Sequence, residues 1–151
     1  MFTPLNLPQA PLKLSRSKEV VYVFCEIRRK KLVLTPEEWV RQHFMHYLME
    51  HCAVSKGKIV SEMPLKYNEM NRRGDVVVVD ENAQPQLLVE CKAPEIKINQ
   101  NTFAQIAQYN SVFKVPILIM TNGLDHVIID FRSGEANVVY NIKELPKIIN
   151  S

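Results

Sequence analysis

The sequence predicts an α/β domain with a central mixed β-sheet flanked by helices. Residues 76–79 are four consecutive valines, as in a central strand that is buried on both faces, and the polar turn 80–85 separates them from a second apolar run at 87–89. The two runs therefore predict an antiparallel hairpin. A helical segment at 35–52 precedes this hairpin and another at 100–113 follows it. This order of elements is that of a layered α/β fold.

The first 34 residues predict an irregular arm followed by a separate hairpin. Residues 1–18 are rich in proline and lack apolar periodicity, so we expect an irregular N-terminal arm. Residues 19–34 contain two apolar runs with Arg28-Arg29-Lys30-Lys31 at or near the turn between them. The expected organisation is thus an arm over 1–18 and one domain over 19–151, a length sufficient to bury a sizeable core.

The first predicted helix has a distinct start signal. Thr35 is a favourable N-cap, Pro36 occupies the first helical position, and Glu38 stands three residues after the cap, as in a capping box. Glu38 is therefore expected to have a structural role. Glu37 lies three residues before Val40, which predicts that Glu37 belongs to the buried stripe of the helix. Glu37 either serves a functional site or complements the helix dipole.

The remaining elements are shorter. An extended strand is predicted over 59–67, interrupted or ended near Pro64, and a strand over 115–120 follows the second helix. Asn122-Gly123 forms a turn before a strand over 124–131. A last strand near 138–140 and a short helix over 142–149 complete the prediction.

Composition bounds the class of protein. The chain is 46% hydrophobic and 23% charged, which is ordinary for a soluble globular domain, and its apolar runs are too short to span a membrane. Its beginning does not have the pattern of a signal peptide. Three cysteines without a CxxC spacing argue against a disulfide framework or a zinc site, and we expect a cytoplasmic location. No GxxxxGK[ST] phosphate loop is present, so the sequence contains no ATPase motor.

Positive charge is concentrated near the beginning of the chain. Residues 1–33 carry seven Lys or Arg and two Glu, although the net charge of the whole chain is only +3. Arg28 and Arg29 in this segment, and Arg72 and Arg73 further along, are candidates for contacts with DNA phosphates, because arginine binds phosphate in a bidentate manner. They can equally be solvated charges of turns and faces.

Three ionisable residues mark the candidate site. Side chains alternate along a strand, so Glu90 and Lys92 point to one face and Cys91 to the other. The hairpin brings Asp75 beside Glu90 and Lys92. Two neighbouring carboxylates repel each other, and Mg²⁺ relieves that repulsion with one or two carboxylates, water and substrate phosphate. The alternative is an ordinary ion pair between Glu90 and Lys92, with Asp75 a turn residue.

Asp75 followed by Glu90-Cys91-Lys92 after a short hairpin resembles the PD-(D/E)xK nuclease pattern, with Gly74 in place of the proline. More narrowly, the chain resembles the N-terminal nuclease domain of type I restriction enzyme R subunits over roughly residues 20–145. The further motifs that carry this resemblance are Thr35-Pro36-Glu37-Glu38-Trp39-Val40-Arg41, Ala93-Pro94, Gln105-Ile106-Ala107-Gln108-Tyr109 and Thr121-Asn122-Gly123. The resemblance implies a restriction-endonuclease-like core.

The same resemblance implies a Mg²⁺-dependent DNA endonuclease, in which Mn²⁺ can substitute for Mg²⁺. Asp75 and Glu90 would hold the metal, with the main-chain carbonyl of Cys91 as a further ligand. Lys92 would position the attacking water or act as base, and Glu37 would add a ligand or orient a metal-bound water.

The resemblance also concerns supporting residues and partners. Gln105 and Tyr109, four residues apart on one helix face, would support the active site or contact DNA. DNA is the implied partner, and a separate motor or specificity protein and a homodimer are compatible with it. The alternative from another class is a non-catalytic nucleic-acid-binding or assembly module that retains the fold.

Overall fold

The computed structural model describes residues 2–67, 70–101, 104, 108 and 114–151, and describes residues 63–67 and 70–74 by their backbone alone. Within these residues the chain forms two β-sheets and two α-helices whose bounds are described, and residues 100, 101, 104 and 108 are helical as well. The first sheet has three strands, β1 (Leu14–Ser17), β2 (Val20–Cys25) and β3 (Lys30–Val33). The second has six strands in the order β4 (Ile59–Tyr67), β5 (Met70–Val79), β6 (Pro85–Cys91), β7 (Ile117–Thr121), β8 (His126–Asp130) and β9 (Asn137–Val139). The helices are α1 (Pro36–His51) and α2 (Leu145–Ile149).

The three-stranded sheet contains the predicted hairpin of residues 19–34. Strands β2 and β3 pair in antiparallel fashion, and Arg28 and Arg29 lie in the turn between them. Strand β1 pairs with the other side of β2, with Ser15 opposite Tyr22. The interpretation of residues 1–18 as wholly irregular is therefore wrong for residues 14–17, because their backbone groups complete the exposed edge of β2.

Helix α1 begins and ends close to the predicted positions. Pro36 is its first residue, and the hydroxyl of Thr35 accepts a hydrogen bond from the N–H of Glu38 at 3.0 Å. Cys52 caps the other end. The N-cap satisfies one of the N–H groups that every helix start leaves without an intrahelical partner.

The six-stranded sheet is mixed, as predicted. Strands β5 and β6 form the predicted antiparallel hairpin, whereas β6 and β7 are parallel. Strand β4 continues through Pro64 to Tyr67, so the prediction that it stops near Pro64 is wrong. Strand β5 begins at Met70, which places Asp75 inside the strand and not at its start.

Both faces of the central strands are buried. Val76, Val89 and Cys91 pack with Phe44 and Leu48 of α1 in one cluster. Val77 and Leu88 belong to a second cluster on the opposite face, together with Leu118, Met120 and Ile129. This burial explains the uninterrupted valines of β5, because a strand buried on two faces has no solvent side that favours polar residues.

The N-terminal segment crosses the start of α1 and the turn after β7. The ring of Phe2 stacks on Trp39 with 5.0 Å between centroids, and the Trp39 indole donates to the carbonyl of Thr3 at 2.8 Å. The N–H of Asn6 donates to the carbonyl of Gly123 at 2.7 Å. Gly123 has φ +86°, and a Cβ there would approach a methyl carbon of Leu5 to 2.6 Å. The segment is thus fixed at both ends.

The predicted strands over 115–120, 124–131 and 138–140 correspond to β7, β8 and β9, and residues 142–149 form a 3-10 turn followed by α2. The predicted helix over 100–113 falls largely outside the described residues. In the part of the chain that the structure describes, no helix is long and apolar enough to cross a membrane.

Candidate active site

Asp75 and Glu90 face each other where the central hairpin opens. The recorded pairing of β5 with β6 ends at Val76 opposite Val89, and Asp75 and Glu90 are the next residue on each strand. Residues opposite each other in an antiparallel pair point to the same face. Beyond this point Oδ2 of Asp75 accepts the N–H of Cys91 at 2.8 Å. The Asp75 carboxylate is therefore fixed across the end of the hairpin, next to Glu90.

Arg41 of α1 connects this carboxylate to the helix. Its Nη2 lies 3.3 Å from Oδ1 of Asp75 and 2.7 Å from Oε2 of Glu37, and its Nη1 lies 2.6 Å from Oε1 of Glu38. The Arg41 side chain is only 8% exposed. Burial lowers the pKa of Arg41, but the surrounding carboxylates, Glu38 foremost, hold that pKa above its ordinary value. Arg41 is thus a buried cation shared by three carboxylates.

The two glutamates at the start of α1 differ from what the helix pattern predicts. Glu38 is buried, and its carboxylate bonds to Arg41 and to the Gln42 amide at 2.9 Å. The Thr35 N–H donates to Val33, so the carboxylate half of the predicted capping box does not form. The side chain of Glu37 is 46% exposed, so its assignment to the buried stripe is wrong. Glu37 lies on the open side of the cluster.

Exchanging each glutamate for glutamine tests this difference. In Glu38→Gln a neutral amide replaces the buried carboxylate that accepts hydrogen bonds from Arg41 and Gln42. We therefore expect the free energy of unfolding to fall by about 1.5–3 kcal/mol, the range for a hydrogen bond to a charged group. Glu37→Gln weakens a half-exposed pair, so the loss should stay below about 1 kcal/mol. Urea denaturation followed by circular dichroism measures both. Equal losses would contradict the assignment of Glu38 as the structural residue.

Negative charge is in excess around the hairpin end. Glu37, Glu38, Asp75 and Glu90 contribute four carboxylates, and among the described residues Arg41 and Lys92 are the cations that act on them. Burial and, next, the neighbouring charge of Asp75 raise the pKa of Glu90 to about 8, although the charge of Lys92 lowers it. Glu90 thus takes up a proton near neutral pH unless a cation replaces it.

Lys92 follows β6 directly and is held by the parallel neighbour β7. Its N–H donates to the carbonyl of Thr121 at 2.8 Å. Asn122 fixes the same region, because its side-chain amide donates to the carbonyl of Ile96 at 2.9 Å and its oxygen accepts the N–H of Leu124 and of Asp125. The segment Thr121-Asn122-Gly123 therefore fixes both ends of residues 92–96, through hydrogen bonds to the Lys92 N–H and to the Ile96 carbonyl.

The candidate phosphate-binding arginines occupy different places. Arg28 lies 3.4 Å from Glu62 of β4, so its charge is partly used within the molecule. Glu62 has φ +58° and lies opposite Asp75, because the register of Ser61 with Val76 continues unchanged to Met63 with Gly74. Arg29 lies in the same turn as Arg28, with φ +56°.

The positions of several predicted site residues are not described. Arg72 and Arg73 belong to β5, but their side chains lie outside the described part of the structure. Gln105 and Tyr109 fall outside the described residues altogether. The roles predicted for these four residues stay predictions.

Arg41 is the functional candidate that the residue patterns missed. It belongs to the motif of residues 35–41, which assigns it no role. The available signal was its spacing, because a cation three residues after Glu38 and four after Glu37 shares a helix face with both. Its neighbours Val40 and Phe44 are buried, so that face points inward. Partnership with Asp75 requires the fold.

The donor set fits a hard divalent cation. Asp75 and Glu90 offer carboxylate oxygens side by side, and when Glu90 is ionised the four carboxylates exceed Arg41 and Lys92 by two negative charges, the charge of one Mg²⁺. Among the described residues, no group of three or more His, Cys, Asp or Glu is arranged as a complete metal cage. Mg²⁺ does not require one, because it commonly keeps several waters and uses one or two carboxylates with substrate phosphate.

The mixed six-stranded sheet with its carboxylate-bearing central hairpin places the protein in the restriction-endonuclease-like α/β fold class. Residues 36–146 match the family described as Type I restriction enzyme R protein N terminus (HSDR_N). The chain therefore belongs to that family. No curated protein sequence matches it significantly.

A solved structure has the same fold. It is a fragment assigned to the HsdR subunit of a type I restriction enzyme from Vibrio vulnificus YJ016, with a TM-score of 0.53 and 17% sequence identity. The match covers 70% of the present chain and 23% of that chain. The present chain thus corresponds to less than a quarter of the length of this relative.

Proposed function

We propose that the protein is a Mg²⁺-dependent DNA endonuclease of the PD-(D/E)xK superfamily, acting as a nuclease domain of the type I restriction R-subunit N-terminal type. The observation that carries the proposal is the juxtaposition of Asp75 and Glu90 at the open end of the β5–β6 hairpin, next to Lys92. Membership of the restriction-subunit family supports it.

Each residue has a distinct task in this proposal. Asp75 and Glu90 hold the metal ion, with the Cys91 carbonyl as a further candidate ligand at the end of β6. The Cys91 N–H and Arg41 fix the Asp75 carboxylate, so its oxygens do not need to reorganise when substrate binds. Bound Mg²⁺ would supply a Lewis acid that polarises the phosphoryl oxygen.

Lys92 and Glu37 act on the solvent side of the carboxylates. Lys92 orients the attacking water or accepts its proton, and its ammonium form stabilises negative charge that develops on the phosphate. Glu37 is half exposed and its charge acts on Glu90, so it can orient a water molecule at the site. Both roles require the main-chain position that β6 and α1 provide.

The proposed partners follow from the family. DNA is the proposed substrate, and a separate motor or specificity protein is a proposed partner. Arg28, Arg29, Arg72 and Arg73 are the proposed phosphate contacts. We also propose that the protein forms a homodimer and is located in the cytoplasm.

Calorimetric titration with Mn²⁺ tests the metal site. A proton on Glu90 competes with the cation below a pKa of about 8, so we expect affinity to rise between about pH 6 and pH 8 and to level off above that. Asp75→Asn should weaken binding at every pH. Glu90→Gln should weaken binding and also remove its pH dependence, because the titrating group is gone.

The control variant is Asp130→Asn, which removes a carboxylate that pairs with Arg132 away from the hairpin end and should leave Mn²⁺ binding unchanged. Equal affinity in the parent and Asp75→Asn would remove Asp75 from the site. Incubation of the parent with single-stranded, double-stranded and nicked DNA in Mg²⁺, Mn²⁺ or EDTA then tests cleavage. Metal binding without cleavage of any DNA would favour the non-catalytic binding module.

A further inference from the structure

The three-stranded sheet has one face against the core and one face in solvent. Val23 and Cys25 of its central strand β2 are fully buried, and Leu32 of β3 packs against the same core. Tyr22 and Phe24 alternate with them and therefore point to the outer face. Val33, which pairs with Tyr22 from the edge strand β3, is 52% exposed, and Tyr22 and Phe24 are half-buried, so solvent reaches this face.

The outer face combines two aromatic rings with lysines. Lys13 precedes β1, and its ammonium lies 5.8 Å from the ring centroid of Phe24. On the other side of β2, Phe24 pairs with the exposed Lys31. Ser15 and Val33 flank Tyr22 in the same way. We call this set the outer platform: Lys13, Ser15, Tyr22, Phe24, Lys31 and Val33.

The charges around the outer platform favour a polyanion. Residues 1–33 carry seven basic and two acidic side chains. Of the acidic ones, Glu26 is already paired with Lys13 at 3.5 Å and with Lys56 at 3.6 Å. Lys13 nevertheless keeps a side chain that is 69% exposed. The excess of basic side chains attracts a phosphate backbone, which has to compete with Glu26 for Lys13.

The spacing of the rings selects an unpaired strand. Tyr22 and Phe24 are two residues apart, which corresponds to about 6.6–6.8 Å along a strand. This is roughly twice the 3.4 Å rise per nucleotide in a duplex strand. Only a strand whose bases are separated can place one base on each ring, and paired bases do not expose their faces at all.

We propose that the outer platform binds single-stranded nucleic acid, with Tyr22 and Phe24 stacking unpaired bases and Lys13 and Lys31 contacting phosphates. This function is additional to cleavage and does not depend on it. The turn that carries Arg28 leads from this sheet to Glu62, beside Asp75. A strand that leaves the platform toward the turn is therefore directed to the hairpin end.

Fluorescence anisotropy in EDTA tests binding without cleavage. The probes are a labelled 20-mer of thymidine, the same length of uridine, a 20-base-pair duplex and a 20-mer whose sugars carry no bases. We expect the two single strands with bases to bind more tightly than the duplex and the abasic strand, which keeps all phosphates. Equal binding of the abasic strand by the parent protein would overturn the proposal, because lysines alone would explain it. If the parent protein bound none of the four probes, the proposal would be overturned as well.

Variants locate the effect on the rings. Tyr22→Leu and Phe24→Leu keep an apolar side chain but remove the stacking surface, and each should weaken thymidine binding by about 5- to 150-fold, the range for one base–aromatic stack. Tyr22→Phe should keep parental affinity. The control is Tyr140→Leu, since Tyr140 is 70% exposed but adjoins the end of β9. Parental affinity in both leucine variants would refute a stacking role.

Lysine variants provide a second readout. Lys31→Ala should reduce the slope of log affinity against log salt by about 0.7, the value for one phosphate contact of a single strand. An unchanged slope in Lys31→Ala, together with unchanged affinity in the ring variants, would assign the binding to another surface.

Discussion

Lys92→Ala is expected to lower Mg²⁺-dependent DNA cleavage by about 10²–10³-fold while the dissociation constant for DNA stays within a few-fold. A preorganised charge acts mainly on the water and on the charge that develops on the phosphate, so its loss is felt in the rate, as for an oxyanion-hole donor. The backbone of Lys92 is fixed by Thr121, so the variant should keep its fold. Single-turnover cleavage and filter binding measure the two quantities separately.

The matched control is Lys97→Ala, since Lys97 is an exposed lysine five residues further along the same segment. Its cleavage rate should equal that of the parent. Neutralising Arg28 and Arg29 should have the opposite profile to Lys92→Ala, with weaker binding and a flatter salt dependence. Parental cleavage by Lys92→Ala would remove Lys92 from the catalytic site, whereas absence of cleavage by both proteins with any metal would leave the binding module as the function.

Arg41→Met is expected to lower the free energy of unfolding by about 3–5 kcal/mol, the usual cost of removing one partner from a buried ion pair. The reason is that Glu38 and Asp75 lose the cation that they share in a buried position, while methionine fills a similar volume. Chemical denaturation in EDTA measures the loss. Cleavage should fall as well, because the Asp75 carboxylate loses one of its two fixed contacts.

Two comparisons make the Arg41 result specific. Arg132→Met removes a partly exposed arginine that pairs with Asp130, and this change should cost no more than about 1 kcal/mol. Adding Glu38→Gln to Arg41→Met should recover part of the loss, because one unpaired buried charge is then removed. A loss below 1 kcal/mol in Arg41→Met would show that the carboxylates do not depend on this cation.

The fold was predictable where sequence signals are local. The valines of β5, the polar turn and the apolar start of β6 predict a buried hairpin without further information, and Thr35 with Pro36 predicts the start of α1. The extension of β4 through Pro64 was not predictable, because a strand tolerates a proline only at the edge of a sheet and the sequence does not show which strand is at the edge. The structure places β4 at that edge.

The candidate site was predictable only along the hairpin. Alternation places Glu90 and Lys92 on one face, and the hairpin adds Asp75. The contact of Arg41 with Asp75 joins residues 34 positions apart, and no local pattern encodes such a distance. The difference in burial between Glu37 and Glu38 was not predictable from a local pattern either. Their different burial depends on how α1 is rotated against the sheet, which tertiary packing decides.

Trp39 gives the protein an internal optical reporter. It is the single tryptophan of the chain, its ring is stacked by Phe2, and its indole nitrogen is bonded to the carbonyl of Thr3. The intrinsic emission spectrum of the protein therefore reports on a single site, the contact between the N-terminal segment and the first turn of α1. If that segment were released, the indole would become exposed to water and its emission would shift to longer wavelengths. No added dye would be needed to detect this. Glu37 and Glu38 are the two residues that precede this tryptophan, so the same signal is recorded beside the carboxylate cluster.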